Sequence, residues 1–474
     1  MAEKENGAQL VVIGAGPGGY PAAFLAADMG MQVTLIDPEP NPGGVCLYRG
    51  CIPTKTLLHI AKVIREADEA RKWGVEFTHP KIHLDHIRAF KNSVVQKMTG
   101  GIGQLCKLRK ITAIQGTARF LDPHTLSVQK KDGTFEKLRF DHAILATGSH
   151  SASLPNTSIA SPHIMDSTQA MELESVPETM LVVGGGYIGL ELGTVYATLG
   201  TRVSVVEMMP SLLPGADEDL VRVYSQSTKN FFHEIMLRTM VSRMEETQNG
   251  IKVRFEGEGA TVKEKMFNKV LITVGRKPNS SDLGLEQTKI ECDRSGFVRI
   301  NKQCQTAEPS IYAIGDVVGG ALLAHKATHE GKVAVEVIAG KNATFEPRAI
   351  PAVLFTDPEI AWCGLTETEA KNAGREVTVA KFPWGASGRA STLGRMDGLT
   401  KLLVDAKTEK ILGVGLVGPG AGELISEGAL AVEMEASVSD VAKTIHPHPT
   451  LSETLMEAAE VFYGHCTHIY RPKK

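Results

Sequence analysis

The stretch Gln9-Leu-Val-Val-Ile-Gly14-Ala-Gly16-Pro-Gly18-Gly19 reads as a buried strand, a glycine turn and the start of a helix running through Asp28. Gly14, Gly16 and Gly19 take the three positions of a G-x-G-x-x-G turn: tight bend, close approach of a pyrophosphate, and close helix packing. A second strand, Gln32–Ile36, ends in Asp37, twenty-three residues after Gly14, where a carboxylate takes both ribose hydroxyls of an adenosine. The pattern returns at Met180-Leu-Val-Val-Gly184-Gly-Gly186-Tyr187-Ile188-Gly189, and its second strand, Arg202–Val206, ends in Glu207 at the same spacing. One such turn is a weak signal; two with matched strand, helix and acid are strong. Two dinucleotides are therefore expected. Glu207 repels a 2′-phosphate and no arginine follows it in Met208–Pro214, so the second site prefers NAD to NADP.

A few residues beyond the first unit stands Gly43-Gly44-Val-Cys46-Leu-Tyr48-Arg49-Gly50-Cys51-Ile-Pro53-Thr-Lys55. Zinc pairs usually have two to four intervening residues and need two more ligands, and Cys106, Cys292, Cys304, Cys363 and Cys466 are scattered singly. No metal is expected. One short-loop disulfide stabilises a chain of this size little. Residues i and i+5 of a regular helix lie about 8.6 Å apart, beyond the roughly 7 Å reach of a disulfide, so a bridge requires a break in the helix. Gly43, Gly44 and Gly50 make that break cheap, and Pro53 suits the first turn of a helix going onward. A bridge so constrained is easily reduced, and the redox reading is favoured over the structural one.

With 474 residues the chain holds two to four domains, and its composition is that of a soluble globular enzyme. A net charge of −3, with no basic block before Arg471–Lys474, argues against nucleic acid. No apolar run is long enough to span a membrane, and no hydrophobic or arginine-rich leader precedes the first strand. Isolated thiols suit a reducing cytoplasm, which is the expected location.

On these motifs, together with Ala146-Thr147-Gly148, Gly275-Arg276-Lys-Pro278-Asn279, Ile311-Tyr-Ala-Ile-Gly315-Asp316 and His446-Pro-His448-Pro449-Thr450-Leu-Ser-Glu453, the chain resembles the pyridine nucleotide-disulfide oxidoreductases over essentially its whole length. The resemblance implies an α/β fold with two Rossmann-like dinucleotide-binding domains and a C-terminal α+β dimerisation domain. The divisions expected are an FAD-binding domain over 1–150, an NAD-binding domain over 151–279, a central segment over 280–350 that completes the FAD site, and an interface domain over 351–474. The linker into the second domain is placed at 149–162.

The roles it implies are specific. Cys51 lies against the flavin and Cys46 meets the substrate. Lys55 pairs with Glu191. His448, oriented by Glu453, is the base that takes a thiol proton, with His446 the competing candidate. FAD contacts fall to Gly14, Gly16, Gly19, Asp37, Cys46, Lys55, Ala118, Thr147, Gly148, Ser149, Asp316 and Ala324, with His325 adjacent. NAD contacts fall to Gly184, Gly186, Tyr187, Ile188, Gly189, Glu207, Val241, Gly275 and Arg276. The activity implied is oxidation of protein-bound dihydrolipoyl groups with reduction of NAD+ to NADH, by a homodimer. Its partners are the lipoyl domains of 2-oxo acid dehydrogenase acyltransferases and the lipoyl carrier protein of glycine cleavage. The alternative is another NADH-dependent flavoprotein disulfide reductase. Tyr48 and Arg49 depart from the family's usual Asn and small apolar residue, and a phenol and a guanidinium beside the cysteines are expected to affect their potential or the substrate channel.

Overall fold

Strands that read as continuous apolar runs become the buried centres of parallel sheets. The structure is a computed structural model that describes residues 7–154, 159, 161–229 and 231–470; the N-terminal six residues, 155–158 and 160 of the expected linker, and the basic tail lie outside the described residues. β1 (Gly7–Ile13) passes through the glycine turn into α1 (Gly19–Asp28) and returns as β2 (Val33–Asp37), parallel to β1. α2 (Gly44–Arg49) and α3 (Cys51–Glu69) carry the cysteines, and α4 (Leu84–Leu108) leads back to β3 (Thr112–Asp122), parallel to β2. β4 (Thr125–Lys130) pairs antiparallel with both β3 and the first half of β5 (Phe135–Leu145), while β5 also lies parallel to β1. Ile311–Ala313 from the central segment adds parallel to β5.

The second unit repeats the plan. Thr179–Val183 and Arg202–Val206 pair in parallel around the helix Tyr187–Thr198, flanked by Glu234–Met236, Lys269–Ile272 and Ile164–Met165. A three-stranded antiparallel sheet, 240–267, covers it. The chain enters and leaves this unit through one antiparallel ribbon, Ser149–Ser151 against Arg276–Pro278.

The C-terminal unit is a five-stranded antiparallel sheet whose strands lie between Ala352 and Gly418, carrying the helices Ala421–Glu433 and Glu453–Tyr463. Trp384 is fully buried there, and its indole N–H donates to Thr400 Oγ1 at 2.9 Å. One apolar core joins the parts: Leu57 and Leu58 of α3 pack in the same cluster as Leu190 and Val205 of the second unit and Leu354 and Val417 of the third. Lys401, with no exposed surface, reaches Asp217 (2.6 Å), Asp219 (2.7 Å) and Glu367 (2.9 Å), pinning the second unit to the third. Among the described residues no helix is long and apolar enough to cross a membrane.

Candidate active site

A cavity of about 450 Å³ runs from the first glycine turn, past the cysteines, to the helix of the second glycine turn. The turns are glycine for steric reasons. At Gly14 (φ +98°) a Cβ would lie 2.3 Å from Ala146 O, and at Gly44 (φ +57°) it would lie 2.5 Å from Gly16 Cα. The redox segment thus packs directly on the dinucleotide turn. Gly19 faces away from the cavity, in the first turn of α1, where a Cβ would meet Gly14 O at 1.8 Å.

The helix break required by the cysteine spacing falls at Gly50, between α2 and α3, where a Cβ would stand 2.8 Å from Val45 O. α3 therefore starts at Cys51 itself, with Pro53 in its first turn, the place its ring suits. Cys46 and Cys51 are both free thiols lining the cavity. A hydrogen bond from the Cys46 thiol, opposed by burial and helped by the Lys55 ammonium, brings Cys51 down to about 7. The same bond, with burial, drives Cys46 far above the ordinary thiol range. The pair is polarised: one sulfur keeps its proton, the other ionises.

Lys55, one turn along α3, donates to Glu191 Oε2 at 2.7 Å and Oε1 at 2.9 Å. Glu191 is 2% exposed and also accepts the Phe355 N–H at 3.0 Å, while the ammonium sits 4.7 Å from the Phe355 ring centroid.

The remaining flavin-side candidates gather along the same cavity: Gly16, Asp37, Ala118, Thr147, Gly148, Ser149, Asp316 and Ala324. Asp37 Oδ2 accepts the Ala15 N–H at 2.6 Å and Oδ1 the Glu39 N–H at 2.9 Å; burial nevertheless raises its pKa. Arg276 Nε donates to Ser149 Oγ at 2.6 Å and lies 3.7 Å from Asp316 Oδ2, which accepts from Ser149 Oγ. His325 is turned aside, its Nε2 2.7 Å from Pro351 O.

The nucleotide candidates of the second unit divide. Tyr187, Ile188 and Arg276 line the flavin-side cavity; Tyr187 keeps 41% of its surface exposed, and the part enclosed by the cavity raises its phenol above the ordinary value. Gly184, Gly186, Gly189, Glu207 and Gly275 lie outside that cavity; of these, Gly184, Gly186 and Gly189 form the second turn. Glu207 Oε2 accepts the Gly185 N–H at 2.7 Å and Oε1 the Met209 N–H at 2.8 Å, the arrangement of Asp37 repeated. Val241 is packed in the core beside Met244 and Phe255, in one cluster with Val183 and Val206, the strand ends that lead into the second turn and Glu207.

His448 and Glu453 also stand outside the cavity. His448 Nδ1 is 2.9 Å from Glu453 Oε1, and the ring is 72% exposed. Burial would raise Glu453, but the Thr450 N–H, at 2.7 Å from Oε2, and His448 outweigh it and hold the carboxylate ionised. His446 is occupied elsewhere, with Nε2 2.7 Å from Glu427 and Nδ1 2.8 Å from Thr444 O.

Two of the cavity residues to which the sequence assigned no role, Asn279 and Glu39, tie the site together. Asn279 Nδ2 donates to Thr147 O at 2.8 Å and closes the end of the second-unit ribbon; it belongs to the quoted Gly-Arg-x-Pro-Asn turn, which was the available signal. Glu39 had no signal, because it acts through Arg49. Tyr48 and Arg49 turn back toward the loop after β2: Tyr48 Oη donates to Asn41 O at 3.1 Å, and Arg49 pairs with Glu39.

The sequence profile of the pyridine nucleotide-disulphide oxidoreductases matches residues 8–331, and that family's dimerisation domain matches 350–459. The chain belongs to this family, and is an oxidoreductase working with FAD and NAD(H). It is similar to the dihydrolipoyl dehydrogenase of Haemophilus influenzae, 47% identical over 99% of this chain and 98% of that one. The dihydrolipoyl dehydrogenase of Thermus scotoductus is 44% identical, over 97% and 98%. Among solved structures, LpdA from Mycobacterium tuberculosis superposes with a TM-score of 0.89 at 27% identity, over 96% of this chain and 99% of that one. The HOCl-induced flavoprotein disulfide reductase RclA from Escherichia coli gives 0.85 at 26%, with the same coverage.

Proposed function

We propose that this chain is a dihydrolipoyl dehydrogenase, oxidising dihydrolipoyl groups carried on partner proteins and reducing NAD+ to NADH. The observation that carries the reading is the polarised Cys46–Cys51 pair, opening into one cavity between a dinucleotide turn and a second nucleotide-binding helix. FAD suits that cavity. The open backbone of Gly14–Gly16 faces it at the start of α1, Asp37 stands at the adenosine end, and Thr147–Ser149 and Asp316 line the other. Residues 1–150 with 280–350 form the flavin part, 151–279 the NAD part and 351–474 the interface.

When bound, the flavin supplies two-electron transfer between dithiol and nicotinamide. The chain supplies proton handling and sulfur exchange. Glu453 holds the His448 tautomer and steadies the imidazolium, leaving Nε2 to take a thiol proton from the substrate. In the oxidised form of the pair, a Cys46–Cys51 disulfide, the substrate thiolate attacks Cys46 Sγ, the S–S bond breaks, and Cys51 leaves as the more acidic thiol. The second substrate thiol then displaces Cys46, releasing the oxidised dithiolane. Lys55, fixed by Glu191, adds positive charge beside the Cys51 thiolate.

An exposed base outside the cavity of its own chain fits a homodimer in which His448 serves the second copy's cysteines. The partners that the family resemblance implies are lipoyl domains of 2-oxo acid dehydrogenase acyltransferases and the lipoyl carrier of glycine cleavage, with the cytoplasm the expected location. The purified holoenzyme is expected to form NADH from dihydrolipoamide and NAD+. If it turned over glutathione or coenzyme A disulfide with NADH and left lipoamide untouched, the assignment would be wrong.

A further inference from the structure

The two residues that break the family's pattern beside the cysteines reach back to one loop. Between β2 and α2 the chain runs Pro38-Glu39-Pro40-Asn41-Pro42, stiffened by three prolines. Tyr48 Oη donates to Asn41 O in this loop, and Arg49 Nη2 pairs with Glu39 Oε1. Glu39 in turn gives its N–H to Asp37 Oδ1. The C-terminal end of the redox helix is thereby tied to the segment that follows the adenosine-side carboxylate, and Arg49, Glu39 and Asp37 all line the cavity.

Charge makes this tie informative. Four carboxylates line the cavity, Asp37, Glu39, Glu191 and Asp316, against three cations, Lys55, Arg276 and Arg49. Lys55 is held by Glu191, and Arg276 is held by Ser149 beside Asp316. A dinucleotide brings a diphosphate to the glycine turn, on the side where Asp37 and Glu39 already stand. Among the described residues lining the cavity, Arg49 is the cation on that side. Its guanidinium has five N–H donors, and among the described residues Nη2 alone is engaged, by Glu39. Arg49 and Glu39 side chains are 38% and 22% exposed, and an ion pair that open stabilises the protein little by itself. Covered by a diphosphate, the same guanidinium loses its water and its charge counts for more.

We propose that Arg49, braced by Glu39, binds the adenosine diphosphate half of FAD and retains the flavin; this rests on the reading of the cavity as an FAD site. The residue acts on cofactor residence, and the departure beside the cysteines is a cofactor-binding adaptation. Because Arg49 ends the helix that bears Cys46, loss of the diphosphate contact also frees the end of that helix.

The test uses the holoenzyme and reads release of FAD by the rise in flavin fluorescence on dilution, at low and high salt, for wild type, R49V and R49K. R49V is expected to release FAD about tenfold faster at low salt, the size of a lost hydrogen bond to a charged group at its lower limit. The difference narrows at high salt, as screening weakens the contact in the wild type. R49K, which keeps the charge without the planar fork, falls between. ADP, which carries the diphosphate half alone, competes with FAD rebinding less well in R49V. A wild-type release rate in R49V at low salt, or an acceleration that does not change with salt, overturns the proposal. If R49V fails to fold, R49K decides: faster release supports it and an unchanged rate sinks it. A wild-type chain that purifies without flavin and takes none up would instead refute the reading of the cavity beneath it.

Discussion

Lys55 Nζ stands 2.7 Å from Glu191 Oε2, joining the helix of the cysteines to the helix of the second glycine turn. The Phe355 N–H completes the carboxylate's partners from the third unit. Three separate parts of the chain therefore meet on one buried oxygen pair, close to the thiol that ionises.

Lys55→Met leaves Glu191 buried without its counter-charge. Breaking a fully buried pair costs about 3–5 kcal/mol, and because Lys55 is 33% exposed the expected loss is smaller, about 2 kcal/mol. The ammonium also lowers Cys51, so its titration moves upward. Urea unfolding and pH-dependent alkylation of the reduced protein measure the two effects separately.

Cys46→Ala removes the largest cause of the Cys51 depression. With Cys51 brought below the ordinary thiol range, its thiolate fraction at neutral pH exceeds that of a free cysteine and rises with pH. In the variant the midpoint rises toward the ordinary thiol value, so iodoacetamide labels Cys51 more slowly at pH 7. Peptide-resolved labelling separates this thiol from exposed Cys292. An unchanged pH profile would show that the Cys46 hydrogen bond does not set Cys51 acidity.

His448→Gln is expected to lower kcat with dihydrolipoamide by about 10²–10⁴-fold, the usual worth of a positioned base, with KM for NAD+ unchanged. Glu453→Gln should cost less, because the imidazole stays in place and loses its orienting charge. Steady-state kinetics of the two variants test the order.

Glu207→Ala deprives the Gly185 and Met209 N–H groups of a shared acceptor and removes the charge that rejects a 2′-phosphate. KM for NAD+ is expected to rise about tenfold or more, on the scale of a lost charged hydrogen bond, and the ratio of NAD to NADP efficiency to fall. Equal ratios in variant and wild type would place discrimination elsewhere.

Lys401→Met leaves Asp217 without its lysine at a fully buried position, while Lys381 still holds Asp219 (2.6 Å) and Glu367 (3.0 Å). A cost of about 3–5 kcal/mol is expected, read as a drop in Tm.

Both glycine turns were legible because their requirement is local: Gly14 and Gly184 have positive φ, and a Cβ at Gly14 or Gly19 would strike backbone. The break between the cysteines was legible for the same reason, since five residues of helix do not bring two sulfurs together. What escaped depends on distant parts meeting. Lys401 lies in Leu399-Thr-Lys-Leu-Leu-Val and reads as a solvent-facing strand residue; its partners come from 217, 219 and 367. The turning of Tyr48 and Arg49 toward Asn41 and Glu39 depends on the path of a proline-rich loop, which no periodicity reveals.

The ribbon formed by Ser149–Ser151 and Arg276–Pro278 makes the inserted unit a cassette. Both of its covalent attachments sit in a single pair of hydrogen-bonded strands, so a replacement spliced at that seam keeps the β1–β5 sheet's pairings and must bring its own partners for Lys55 and Lys401. A nucleotide preference could be exchanged wholesale by transplanting one contiguous piece of chain.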